Sequence, residues 1–233
     1  MKKIIGKVRL ALFVLSLFMV ANGFAGETVT IKGSTTVLPI AQAAAEAFME
    51  ENPGESISVQ GGGSGVGIAS LIDGTCDIAD ASRPIKDEEL DKAISRGIDP
   101  QANVIAMDGI AVIVHPSNSI EALSKKEIKA IYTGRISDWS QVGGSSGKIV
   151  VISRDSASGT FEAFNELALD KAKVRPDALL QASNQAVATT VAKTPGAIGY
   201  VGLGYVSDRV KAVTVDGIIP SKETILSGEY PLS

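Results

Sequence analysis

Hydrophobic and polar positions along the chain follow two rhythms that alternate several times. Glu27 to Ile31 alternates polar with apolar, the period of a half-buried strand. Gly33-Ser34-Thr35-Thr36 interrupts it, and Pro39 then lies in the first turn of an alanine-rich stretch running to about Glu50. Hydroxyl residues before the first turn and a proline within it signal a helix start. Asn52-Pro53-Gly54 ends that helix, and Ser56 to Gln60 is a second alternating strand. Gly61-Gly62-Gly63-Ser64-Gly65-Val66-Gly67 leads into a helix ending near Asp73. Cys76 to Ala79 has the length of a short buried strand, Arg83-Pro84 opens a turn, and Asp87 to Ser95 reads as an acidic helix.

The second half repeats the pattern. Val104 to Val114 is apolar and broken at Asp108-Gly109; Lys125 to Tyr132 reads as a helix, and a loop runs on to Trp139. Lys148 to Ser153 is a strand, Arg154 to Thr160 a loop, and Phe161 to about Leu169 a helix. Asn184 to Val191 is helical, and Ala197 to Val201 is a strand. Strand, hydroxyl-and-glycine loop, helix thus recurs at least three times, which predicts α/β lobes with largely parallel sheets. In such sheets ligands collect beyond the carboxyl ends of the strands, where loops enter helices. The hydroxyl-rich loops fall there.

Composition narrows the choice. The 233 residues, 45% of them hydrophobic, suffice for one large domain or two small lobes with their own cores. Lys2, Lys3, Lys7 and Arg9 precede an apolar run, Leu10 to Ala21, and Gly23-Phe24-Ala25 offers small residues at a cleavage point. Residues 1–25 are therefore expected to be a signal peptide, leaving a protein free in a periplasm or outside the cell. Removing them takes away four basic and no acidic residues, which moves the formal net charge from −4 to −8. An acidic chain without a basic run is a poor partner for nucleic acid, so any attraction for an anion must be local. The one cysteine, Cys76, permits neither an internal disulfide nor a cysteine metal cluster, and no metal or cofactor is expected.

Three segments share one design. Gly33-Ser34-Thr35-Thr36, Gly63-Ser64-Gly65 and Ser158-Gly159-Thr160 each precede a helix. A helix N-terminus offers unpaired N–H groups and partial positive charge, glycine admits an oxyanion close to the backbone, and hydroxyls add donors. Any one of them is explained by helix capping; three that converge make an anion site. Arg154, four residues before Ser158 at a strand end, adds a forked and permanent positive charge. Other chemistries fit poorly. Gly147-Lys148 lacks the upstream glycine of a nucleotide loop, and Gly62 to Val66 fails the nucleophile-elbow pattern at its last position. His115 is the only histidine, weak support for a Ser-His triad or a histidine metal site.

With these motifs in order, the chain resembles the phosphate-binding subunits of high-affinity phosphate ABC transporters, in their compact branch. The residues that carry the resemblance are Ile31 to Val37, Gly63 to Gly67, Asp77 to Arg83, Ile131 to Gly134 with Trp139, Arg154 to Thr160, Gly196 to Tyr200, and Tyr230-Pro231-Leu232. Arg-x-x-x-Ser-Gly-Thr is the most specific. The resemblance implies a type II periplasmic-binding-protein fold with phosphate buried between hinged lobes. One lobe is expected from residues 27–107 with 202–233, the other from 108–201. The implied ligand contacts are Arg154, Ser158, Gly159, Thr160 and Ser64, with Thr35 and either Ser34 or Thr36 from the first loop. The implied partners are inorganic phosphate and a membrane ABC permease, and the protein is expected to be a monomer and no enzyme.

Two departures accompany the resemblance. Ser82 stands where longer relatives carry the aspartate that accepts the ligand's proton. Asp108 is the candidate replacement and Asp80 a weaker one. The chain also stops at Ser233, where relatives continue with a further strand and helices of the first lobe. Either the chain is a fragment or the lobe is completed differently; missing residues would leave the first lobe with exposed apolar surface and low stability. A binding protein for sulfate, molybdate or tungstate is the nearest rival, and a secreted phosphate-ester hydrolase using Ser64 or Ser158 the next.

Overall fold

The computed structural model describes residues 28–233. The expected signal peptide lies outside the described residues. The chain opens with strand β1 (Thr28–Gly33), helix α1 (Leu38–Glu51), β2 (Ser56–Gly61), α2 (Ser64–Ile72), β3 (Ile78–Asp80) and α3 (Asp87–Ser95). These make the first lobe, a parallel three-stranded sheet of order β2-β1-β3. Its buried apolar cluster is small: Ile68 and Ile72 of α2 with Ala93 of α3.

An extended segment, residues 99–109, crosses to the second lobe. There follow β4 (Ile110–Val114), β5 (Ala122–Leu123), α4 (Lys125–Tyr132), β6 (Val150–Arg154), α5 (Gly159–Leu167), β7 (Leu179–Gln181), α6 (Asn184–Lys193), β8 (Ala197–Gly202), β9 (Lys211–Ala212), β10 (Thr214–Val215) and α7 (Lys222–Leu226). The main sheet has the order β7-β6-β8-β4-β9, and β10 pairs with β5 at its side. β6 runs parallel to β7 and β8, whereas β4 is antiparallel to β8 and β9. β4 and β8 are buried along their whole length. Both read as continuous apolar runs because both faces are covered. Tyr132, Phe164 and Tyr200 pack together inside, the last two rings stacked with centroids 3.9 Å apart.

The segment 202–233, expected to return to the first lobe, belongs instead to the second. β9 pairs with β4, the backbone N–H of Ile110 donates to the Leu232 carbonyl at 2.8 Å, and Val213, Val215, Ile225, Tyr230 and Leu232 fill the second core. The reason is proximity. β8 delivers the chain beside β4, whose free edge and the flanking β5 offer unpaired backbone at once, and buried backbone must be paired. Among the described residues, one covalent crossover, 99–109, joins the lobes.

Large apolar side chains are exposed on both lobes, with Leu179, Leu180, Ile219 and Leu226 on the second. On the first, Ile40, Phe48, Ile78 and Ile94 are exposed, as are Val104, Ile105 and Met107 on the crossover. Leu232, by contrast, is fully buried in the second core. Leu232→Ala should lower stability by about 2–5 kcal/mol in urea unfolding, the usual cost of truncating a core leucine. A loss below about 1 kcal/mol would mean that the tail is not part of that core.

Candidate functional site

Four helices begin at the boundary between the lobes. α1 and α2 rise from the carboxyl ends of the paired strands β1 and β2, and α5 and α6 from those of the paired strands β6 and β7. Each strand-to-helix loop is short, so the N-terminus of each helix stays near its strand end. Contacts across the boundary show that the four meet. Thr36 Oγ1, before α1, lies 3.0 Å from Thr160 Oγ1 on α5. The N–H of Gly65, on α2, donates to the Ala157 carbonyl before α5 at 3.0 Å. Asn184, first residue of α6, donates from Nδ2 to Thr35 Oγ1 at 3.1 Å and Thr36 Oγ1 at 2.9 Å.

Glycine is needed where the lobes touch. Gly63 has φ of +99°, and a Cβ there would lie 2.6 Å from the Ala157 carbonyl oxygen. A Cβ on Gly159 would lie 2.4 Å from Ser64 Oγ and 2.7 Å from Ser82 Oγ. Those two hydroxyls are themselves 3.2 Å apart, and Ser64 Oγ accepts from the Ser82 N–H at 3.0 Å. Ser158 caps α5, its hydroxyl accepting from the Phe161 N–H at 3.1 Å. Ser34 accepts from the Thr36 N–H at 3.2 Å, which tightens the first loop.

Arg154 ends β6 with a side chain almost wholly buried. Its Nε donates to the Gln181 carbonyl at 3.0 Å and its Nη2 to the Ala182 carbonyl at 3.1 Å. The backbone N–H donates to the Tyr200 hydroxyl at 3.1 Å. Nη1 is buried and has no hydrogen-bond partner among the described residues. Burial lowers the pKa of Arg154, yet a guanidinium stays charged at any ordinary pH. Beneath it, burial pushes the Tyr200 hydroxyl up to about 12, so Tyr200 holds Arg154 as a neutral phenol.

Asp108 closes the far side. Its Oδ1 accepts from the Leu203 N–H at 3.2 Å. The point where a Gly202 Cβ would sit is 2.6 Å from Asp108 Oδ2 and 3.0 Å from Thr36 Cγ2, so carboxylate and first loop are neighbours. The residue as a whole is exposed. Desolvation of the carboxylate nevertheless raises its pKa, and the Gly109 and Leu203 N–H groups only partly offset this. Asp80, the weaker candidate, has a pKa raised by burial, and its backbone carbonyl accepts from the Ser34 N–H at 2.8 Å.

Outside the loops, an ion-pair cluster bridges the lobes. Arg83, after β3, binds Glu89 of α3 in a fork with both contacts at 2.8 Å. Its Nε lies 2.8 Å from Glu162 of α5, and Lys86 Nζ reaches the same carboxylate at 2.6 Å. The Arg83 fork holds Glu89 below the usual carboxylate range. Of the ten predicted site residues, Thr35, Thr36, Ser64, Ser82, Gly159 and Thr160 meet across the boundary, while Ser34, Asp108, Arg154 and Ser158 lie on the adjoining strand ends and loops. Asn184, Tyr200 and Glu162 were missed. Asn184 follows a capping serine and looks like any helix start; Tyr200 ends the Gly196–Tyr200 stretch that carries the resemblance, but nothing there ties its hydroxyl to Arg154, and no local signal marks Glu162.

Residues 20–233 match the PBP superfamily domain. The chain is 38% identical over 212 residues to the phosphate-binding protein PstS of Bacillus subtilis, a match covering 89% of this chain and 68% of that protein. The chain belongs to the PstS family. A second PstS, from Staphylococcus epidermidis, is 34% identical, with 87% of this chain and 65% of that protein covered. The chain thus spans about two thirds of the length of these relatives. A crystal structure from Clostridium perfringens, described as a phosphate ABC transporter substrate-binding protein with bound phosphate, superposes with a TM-score of 0.81 at 37% identity. That comparison covers 88% of this chain and 83% of the other. The PstS family fold is the two-lobed α/β arrangement with a cleft described above.

The tight approach at Gly159 gives a direct test. Gly159→Ala puts a methyl into the Ser64 and Ser82 hydroxyls and should hold the lobes apart. Small-angle X-ray scattering of the variant is expected to give a larger radius of gyration than the parent chain under identical conditions. Equal radii would mean that the approach of the lobes is not limited at this glycine.

Proposed function

We propose that the protein captures inorganic phosphate between its lobes and delivers it to a membrane ABC transporter. The observation that carries this is Arg154: a buried guanidinium with an unpaired Nη1, at the meeting point of four helix N-termini. Positive charge, unpaired donors and hydroxyls in one place fit a small oxyanion. The donors are Arg154, Ser64, Ser82, Ser158, Gly159, Thr160 and the loop of Ser34, Thr35 and Thr36. The names of the relatives point to the same ligand.

Phosphate near neutral pH always carries a proton, whereas sulfate carries none. Asp108 is the acceptor for that proton, and its charge repels an anion that has none to donate. Each charge-assisted bond contributes about 1.5–3 kcal/mol net. Micromolar affinity needs about 8 kcal/mol, so a handful of the donors suffices and the rest offset the cost of ordering the lobes. We place the mature protein in the periplasm or outside the cell, as a monomer that binds no nucleic acid. The formal charge, −4 for the full chain and −8 without residues 1–25, is unsuited to a polyanion. Among the described residues no helix is long and apolar enough to cross a membrane.

Binding accounts for the cleft better than hydrolysis. His115 follows the end of β4 opposite Asp108, a strand length of ~17 Å away, and its Nδ1 contacts Ser117 at 2.8 Å. It is not placed to act as base for Ser64 or Ser158. Titration calorimetry of the ligand-stripped protein should show tight one-to-one binding of phosphate and no signal with sulfate. Asp108→Asn is expected to weaken phosphate binding and admit sulfate. Equal discrimination in the variant would remove Asp108 from the role, and a preference for sulfate or molybdate in the parent chain would change the ligand.

A further inference from the structure

Asn184 is fully buried at the lobe boundary, on the second lobe, with its side chain against the first. Its Oδ1 accepts from the Gly202 N–H at 3.2 Å. A backbone N–H can only donate, so this contact fixes the amide: oxygen toward Gly202, NH2 toward Thr35 and Thr36. Thr35 Oγ1 then accepts twice, from Asn184 Nδ2 at 3.1 Å and from the Asn184 backbone N–H at 3.3 Å. A hydroxyl has two acceptor lone pairs and one hydrogen. Both lone pairs are occupied, and neither contact uses the hydrogen. Thr36 Oγ1 also accepts from Nδ2, leaving one lone pair and its hydrogen for Thr160 and the cleft.

We propose that Asn184 is a positioning residue that sets the donor polarity of the first loop, making Thr35 a donor only. This deepens the phosphate reading and rests on it. A ligand oxygen that carries a proton finds no lone pair on Thr35, so the loop takes bare oxygens. The protonated oxygen is thereby turned toward the Asp108 side. Asn184 and Thr35 lie on different lobes, so the polarity is set as the cleft closes. A phosphate that binds one open lobe does not meet it.

The test is a double-mutant cycle read by phosphate calorimetry on Asn184→Ala, Thr35→Ala and the pair. Each single change should raise Kd roughly 10- to 100-fold, the range of one charge-assisted hydrogen bond. The double variant should bind within about 3-fold of Thr35→Ala alone, because Asn184 acts through that hydroxyl. Asn184→Asp keeps the shape but only accepts. It should draw the Thr35 hydrogen to itself and bind phosphate more weakly than Asn184→Ala, and it stands in where the alanine variant does not fold. Asn184→Asp keeps the acceptor for the Gly202 N–H, so its melting temperature without phosphate, like that of Thr35→Ala, should stay near the parent chain's, which separates this role from a general packing loss. Additive losses, or parent-like affinity in Asn184→Asp, would overturn the role of Asn184 while leaving the phosphate site standing. A parent chain that binds no phosphate would overturn the proposed function itself. The same cycle run with whichever oxyanion it does bind then decides Asn184, and binding of none overturns both.

Discussion

The cleft depends on one electrostatic constraint: it gathers the positive ends of four helices and a buried guanidinium, with Asp155 beside Arg154 offsetting only part of that charge. Four helix N-termini each present the equivalent of roughly half an elementary charge, and Arg154 adds a full one from a buried position. Bringing these together raises the energy of the closed chain, since like charges in a partly dry space repel. An anion at the meeting point reverses the sign of every one of those terms. Closure and ligand are therefore coupled by the construction of the site. The lobes come together favourably when something negative lies between them, and a ligand shifts such an equilibrium only by binding one state better.

The fold meets the constraint by symmetry of use. Each sheet supplies two adjacent parallel strands, β1 with β2 and β6 with β7, and each strand ends in a loop that starts a helix. Two strand-to-helix corners from one lobe face two from the other. Strands inside a sheet are rigidly spaced, so within a lobe the donors are set before the ligand arrives. What remains to be ordered is the single relation between lobes. Asn184 and the Arg83–Glu162–Lys86 cluster act on that relation, one from within the cleft and one from its rim.

The legible part of the candidate site was the part written locally. Hydroxyl residues and glycine ahead of an apolar helix pattern announce a corner wherever they occur, and the corners at Ser34, Ser64 and Ser158 were recoverable for that reason. Arg154 was recoverable because a strand end points into the same space as the loop after it. Asn184 was not, since a polar residue at a helix start reads as capping, and only the opposite lobe shows that its amide is spent on Thr35 and Thr36. The path of residues 202–233 was illegible for a related reason. Val213, Val215, Ile225 and Leu232 declare that they will be buried but not against which core. That choice was made by the free edge of β4, a long-range fact. The antiparallel placement of β4 in a sheet expected to be largely parallel belongs to the same class.

Glu162 shows how an acidic protein keeps an anion site from working against itself. It lies in the first turn of α5, two residues after Thr160, where its charge opposes any anion held by that helix. With the lobes apart, nothing on the second lobe pairs with it among the described residues. With the lobes together, Arg83 and Lys86 reach it from the first lobe at 2.8 and 2.6 Å. The same motion that completes the donor set thus cancels the nearest opposing charge. These pairs are partly exposed, and as isolated bridges they are worth little. Their position matters more than their strength, because the repulsion they remove is felt by the ligand and only in the open form. An anion on the second lobe alone sits beside an uncompensated carboxylate; the same anion in the closed cleft does not. Affinity is in this way shifted from the half-site to the whole, as a protein that must hold its ligand closed and release it open requires.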